Sequence, residues 1–155
     1  MIAVKLTGIA HHHSKEIAEC IVPKNSVIIR LEANEKASNG FAYSAVCKGL
    51  LIGYLPELDT LRKYYADATT DSKRANISAW GHAVKACREQ FKIDWENNGT
   101  EEWKATVCGL LYSKVIDGCE EWIEFDQYSD LCHRGEGVGW TLRQISVLID
   151  GVEGF

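Results

Sequence analysis

Three observations predict an α+β fold for this 155-residue chain. Short runs near both ends alternate apolar and polar residues, as half-buried strands do. A central region repeats its apolar residues every three or four positions, as amphipathic helices do. Polar turns rich in Gly, Asn and Asp separate the runs. With 46% hydrophobic residues, the chain suffices for one core and is too short for two, so a single domain is expected over 1–155.

The elements follow in order. Ile2, Val4 and Leu6 alternate with Ala3, Lys5 and Thr7, a strand ended by Gly8. A loop holding His11, His12 and His13 follows. Ser14 then caps a short helix carrying Ile17, Ala18 and Ile21, which Pro23 stops. Residues 23–26 read as a turn and 27–31 as a strand. Residues 41–47 and 50–54 form a hairpin about Lys48-Gly49. Past Pro56, Leu58, Leu61 and Tyr65 place a helix from near Glu57. Ile77, Trp80, Val84, Cys87 and Phe91 define the next helix, over about 72–95, with Lys85, Arg88, Glu89 and Lys92 toward its wet face. Residues 97–100 end it. Trp103, Ala105 and Val107 begin a strand continuing to Tyr112. Asp117-Gly118 turns the chain into a returning strand at 121–125. A polar, Gly-rich connection over 129–139 leads to a last strand at 140–149.

Charge divides the chain. Residues 1–78 carry ten Lys and Arg against eight Asp and Glu, whereas 79–155 carry seven against fourteen. The acidic carboxy half repels phosphate backbones, which confines any nucleic-acid contact to the amino half and excludes broad duplex binding. Six cysteines without a C-x-x-C pair are expected to be reduced and mostly buried. No apolar run approaches the ~20 residues that span a bilayer, and no secretory signal is read, so a soluble, cytoplasmic protein without a membrane partner is expected.

The segment from Arg30 to Pro56 carries the most specific pattern. Glu32-Ala33-Asn34 is followed by a polar loop, then Gly49 and Ile52-Gly53-Tyr54-Leu55-Pro56 running into a helix. With the strand ending at Gly8, Lys15-Glu16-Ile17, Pro23-Lys24-Asn25 and the strand Lys104-Ala105-Thr106-Val107, this resembles the HIRAN domain. That family is a small β-barrel module, fused to helicase-type remodellers or standing alone in bacteria and phages. The resemblance implies a HIRAN-like β-barrel core over 1–113 with two inserted helices, and a β-rich carboxy-terminal extension over 114–155. The chain departs from the family at residues 35–42, where its Pro, Tyr and Asp are missing, and Ala33 replaces a further Pro.

Remodeller-type HIRAN domains bind single-stranded DNA at a 3′ end, so the resemblance implies a binding module for such an end or a nucleotide-like ligand. Arg30 and Lys48 are the cations for phosphates, and Asn34 and Asn39 the groups for a terminal sugar or base. Phe41, Tyr43 and Tyr54 are the stacking faces. Each residue also has a plainer reading: Phe41 and Tyr43 as core, Tyr54 as a turn anchor, and the asparagines as turn formers.

The acidic cluster Glu120, Glu121, Glu124, Asp126 and Asp130 surrounds Trp122 and Phe125. It reads as the wet side of a hairpin, and Glu120, Glu121, Glu124 and Asp126 support an alternative: a protein–protein inhibitor or adaptor of a nucleic-acid-processing protein, such as a phage anti-defence protein. Adjacent histidines rarely converge on one ion, and nothing places Cys132-His133 beside them, so no metal is expected. The glycines at 135, 137 and 139 lack the Lys-Ser/Thr of a P-loop. No catalytic set or cofactor is read, and edge strands leave room for a homodimer.

Overall fold

Alternating apolar residues build the framework of the computed structural model, which describes residues 1–9, 21–37 and 39–153. The strands are β1 (Ile2–Lys5), β2 (Ser26–Ala33), β3 (Phe41–Cys47), β4 (Leu50–Tyr54), β5 (Glu102–Ile116), β6 (Cys119–Glu124) and β7 (Thr141–Ile149). The helices are α1 (Leu58–Asp67), α2 (Asp71–Asn98) and α3 (Phe125–His133). The trihistidine loop, the helix expected from Ser14, Cys20 and Ser38 lie outside the described residues.

One antiparallel sheet runs β1-β7-β5-β2-β3-β4, and β6 pairs with the distal half of β5. The mixed α+β class thus holds, but the sheet is not closed into a barrel. Its end strands β1 and β4 meet at an isolated bridge, where Thr7 and Tyr54 exchange two backbone hydrogen bonds of 2.9 Å. Gly8, at φ +73°, turns the chain away from β4 directly after that bridge. Gly53 lets the segments approach: a Cβ there would stand 3.0 Å from the Thr7 carbonyl oxygen and 3.0 Å from Ile9 Cγ2. The Ile-Gly-Tyr-Leu-Pro motif is therefore the joint that seats one sheet end against the other.

The core is a single cluster. Val4, Leu6, Val27, Ile29, Ile52, Val107, Ile145, Val147 and Ile149 come from the sheet, and Val84, Cys87 and Phe91 from one stripe of α2. Phe91 stacks on Trp103 with ring centroids 4.2 Å apart and leans on Tyr43 at 5.2 Å. The Trp80 indole N–H donates to the Lys5 carbonyl at 3.0 Å, fastening α2 to β1. The Thr70 hydroxyl caps α2 by accepting the Lys73 N–H, and Gly99, at φ +67°, ends it. The helix thus extends a few residues beyond the expected 72–95.

Three further differences from the sequence reading have physical causes. The expected connection over 129–139 begins as α3, because Glu124 and Gln127 form a reciprocal capping box that starts a helix at Phe125. Tyr128 of α3 then stacks on Tyr112 of β5 at 3.9 Å. Strand β7 lies between β1 and β5 with Ile145, Val147 and Ile149 buried, so the carboxy-terminal part occupies the middle of the sheet. Of the five described cysteines, Cys47 and Cys87 are buried, whereas Cys108, Cys119 and Cys132 are exposed. The last two sit on a ribbon and a helix that carry little apolar cover, so "mostly buried" does not hold.

Candidate functional site

Asn34, Asn39 and Phe41 gather at the tip of the β2–β3 hairpin. The Lys36 N–H donates to Asn34 Oδ1 at 2.9 Å and the Phe41 N–H to Asn39 Oδ1 at 3.1 Å, so both asparagines shape the turn. Phe41 extends past the core with 53% of its surface exposed. Tyr43, two residues on, points inward against Phe91 and Trp103.

The remaining expected residues lie elsewhere. Lys48 sits in the β3–β4 turn, about 20 Å from Phe41 along the strand. Arg30 lies on the opposite face of the sheet from Tyr43, paired with Glu102 at 3.3 Å and Glu32 at 3.6 Å. Tyr54 belongs to the sheet joint, its ring packed over Gly8. Strand pleating explains this scatter: neighbouring residues on a strand face opposite ways, so Arg30 and Tyr43 cannot serve one pocket.

Beside the hairpin tip lies a cleft of about 240 Å³ lined by Asn39, Glu57, Leu58, Asp59, Arg62 and Arg88. Three elements meet there: the β2–β3 loop, the start of α1 and the middle of α2. Arg88 is central to it. Its Nε and Nη2 donate to the Pro56 carbonyl at 3.0 and 2.8 Å, and Nη2 also reaches the Leu55 carbonyl at 3.4 Å. The guanidinium lies 5.2 Å from the centre of the Tyr43 ring. Burial lowers its pKa, and Tyr43, Glu57 and Cys87 pull it back up. Arg62 pairs with Asp59 one turn away on α1.

Sequence reading placed Arg88 on the wet face of its helix and did not single out Glu57, Asp59 or Arg62. The helix period allowed nothing else, because the carbonyls that draw Arg88 inward lie more than thirty positions upstream. Glu57 and Asp59 stand at the N-cap and in the first turn of α1, where acids are ordinary and carry no signal of a site. The acidic residues Glu120, Glu121 and Glu124 are exposed along β6, and Asp126 opens α3. Among the described residues no three His, Cys, Asp or Glu side chains are grouped to hold a metal ion. No helix among them is long and apolar enough to cross a membrane.

Several buried acids hold their protons tightly. Burial pushes the Cys87 thiol up to about 12 and raises Tyr43, in both cases against Arg88. Burial, then Tyr128 and Cys132, raise Tyr112, and a hydrogen bond with Cys132 followed by burial raises Tyr128. Folded-state values above the unfolded ones mean the native chain binds more protons above pH ~9. Their contribution to stability is complete below about pH 8 and is lost as pH rises from about 9 toward 12. Urea midpoints should therefore fall steadily between pH 8.5 and 10.5; a midpoint constant over that range would contradict the assignment.

No protein-family model, curated protein or solved structure matches this chain.

Proposed function

We propose that the chain is a non-catalytic binding module on a HIRAN-like scaffold that receives the 3′ end of single-stranded DNA in the Asn39–Arg88 cleft. The observation that carries this reading is the meeting of Arg62 and Arg88 with Glu57 and Asp59 around one small opening. A strand end offers a phosphate and a free hydroxyl. The guanidiniums suit the phosphate, and the carboxylates accept a hydrogen bond from the hydroxyl. Phe41, exposed two residues from Asn39, supplies a stacking face for a base. At about 240 Å³ the cleft is smaller than the ~300–1,000 Å³ of pockets that enclose whole small molecules. It therefore fits one terminal unit, with the rest of the strand outside.

The HIRAN resemblance in the flanks of the hairpin supports the same reading, while the altered loop at 35–42 shifts the polar contacts from the loop to α1 and α2. Fluorescence anisotropy with a ten-nucleotide single strand tests it. A 3′-hydroxyl oligonucleotide should bind saturably at low salt, weaken as salt rises, and lose about tenfold affinity on Arg62→Ala, the removal of one charge-assisted contact. A 3′-phosphate version should bind more weakly, because its charge meets Glu57 and Asp59. Equal affinity for the two ends, or no saturable binding, would sink the proposal.

A further inference from the structure

We infer that the β5–β6 ribbon is a docking edge for an extended, Lys/Arg-rich segment of a partner protein, which adds as a further strand alongside β6. The surface is separate from the cleft and does not depend on it. Pairing of β5 with β7 stops at Ser113–Thr141, whereas pairing with β6 continues to Ile116–Cys119. Residues 114–116 and their β6 partners thus project past the sheet as a two-stranded ribbon. Among the described residues strand β6 pairs with β5 alone, so its outer edge presents backbone N–H and C=O groups with no strand partner among them. The other end strands, β1 and β4, are bridged to each other at Thr7 and Tyr54.

Sheet proteins usually blunt such an edge with charged side chains, Pro or a bulge, and β6 uses only the first, in the form of glutamates that repel acidic partners and not basic ones. Strand β6 reads Cys-Glu-Glu-Trp-Ile-Glu and stays in continuous register with β5. Apolar side chains of the ribbon are left in solvent: Trp122 of β6 is 50% exposed, and Val115 and Ile116 on the facing strand are 67% and 42% exposed, while Ile123 packs toward the core. An extended peptide adding to an edge takes affinity from backbone bonds and specificity from alternate side-chain contacts, and both are available here.

Charge selects the occupant. Glu120, Glu121 and Glu124 are exposed on β6. A second copy pairing edge to edge would set three glutamates against three, and like charges facing across strands are destabilising. A phosphate backbone meets the same repulsion. A strand alternating basic and β-branched residues instead places its cations on the face shared by Glu120, Trp122 and Glu124, their aliphatic stems along the indole, and its β-branched groups on the face of Ile123.

The test uses a fluorescent seven-residue peptide alternating Lys and Val, with an alternating Glu-Val peptide as control. The Lys-Val peptide should bind saturably, weaken with salt, and slow amide hydrogen exchange along 119–124. Glu120→Lys combined with Glu121→Lys should reduce affinity at least tenfold, and so should N-methylation of alternate peptide bonds in the probe. Four outcomes overturn the inference: no binding at low salt, unchanged affinity after charge reversal, undiminished binding of the N-methylated peptide, or a homodimer sealed through β6. Since the cleft lies on other elements, the Arg62→Ala protein should bind the peptide normally.

Discussion

Phe91→Ala is expected to lower the unfolding free energy by about 4 kcal/mol, within the range for aromatic truncation in a packed core. Phe91 has no exposed surface, stacks on Trp103 and touches Tyr43. It is the lowest member of the α2 stripe and holds the helix to the β5 and β3 strands. Removal leaves a cavity that the two remaining rings cannot fill without leaving their own contacts. Aromatic pairs add about 0.5–1.5 kcal/mol each beyond buried area, so two pairs place the cost toward the upper end. In a chain of this size the melting temperature should fall by about 8–16 °C. Phe91→Leu, which keeps most of the volume but loses both ring pairs, should cost about 1–3 kcal/mol. Urea unfolding with an unchanged m-value measures both. A loss near 1 kcal/mol for the alanine variant would show that the α2 stripe does not anchor the helix.

Arg88→Met carries the second large effect and links stability to the cleft. The side chain donates to the buried Leu55 and Pro56 residues at their carbonyls and lies over Tyr43. Methionine keeps the apolar stem and strands both acceptors, at about 1–3 kcal/mol for each buried group left without a donor. A net loss of about 3 kcal/mol follows, together with loss of the end-binding cation. Arg88→Lys should recover less than half, because an ammonium cannot fork to two carbonyls while its head stays over the Tyr43 ring. Equal stability of the Lys and Arg proteins would show that the fork is dispensable. Binding by this variant has to be read with its stability, which is why Arg62→Ala is the cleaner probe of the ligand.

Much of the sheet was legible because its signal is local. Strands β3 and β4 begin and end where their alternation and the Lys48-Gly49 turn place them. Helix α2 follows the Ile77-to-Phe91 spacing and stops within the turn read over 97–100, whereas the Thr70 cap was not singled out. Helix α3 was also written locally, in the Glu124-x-x-Gln127 box, but the preceding strand pattern and the following glycines masked it. The joint between sheet ends was not legible. Gly53 could be seen as part of a motif, yet only the fold reveals that the Thr7 carbonyl occupies the space its side chain would need.

The site was legible in the same uneven way. The hairpin tip with Asn39 and Phe41 stands where the pattern put it. Tyr43 and Arg30 separated because pleating decides which way each side chain faces, and Lys48 because a strand's length lies between it and the tip. Arg62 and Arg88 come from helices whose relation to the hairpin is a property of tertiary packing. Their local sequence marks them only as polar residues of amphipathic helices.

The central claim is that a strand end enters the cleft between the hairpin tip, α1 and α2. Titrating ¹⁵N-labelled protein with a five-nucleotide 3′-hydroxyl strand at low salt tests it residue by residue. The account predicts saturating shifts at the amides of Asn39, Phe41, Leu58, Arg62 and Arg88, with 119–124 unmoved. Shifts centred on Arg30, Lys48 and Tyr54, or on no connected surface, would contradict it.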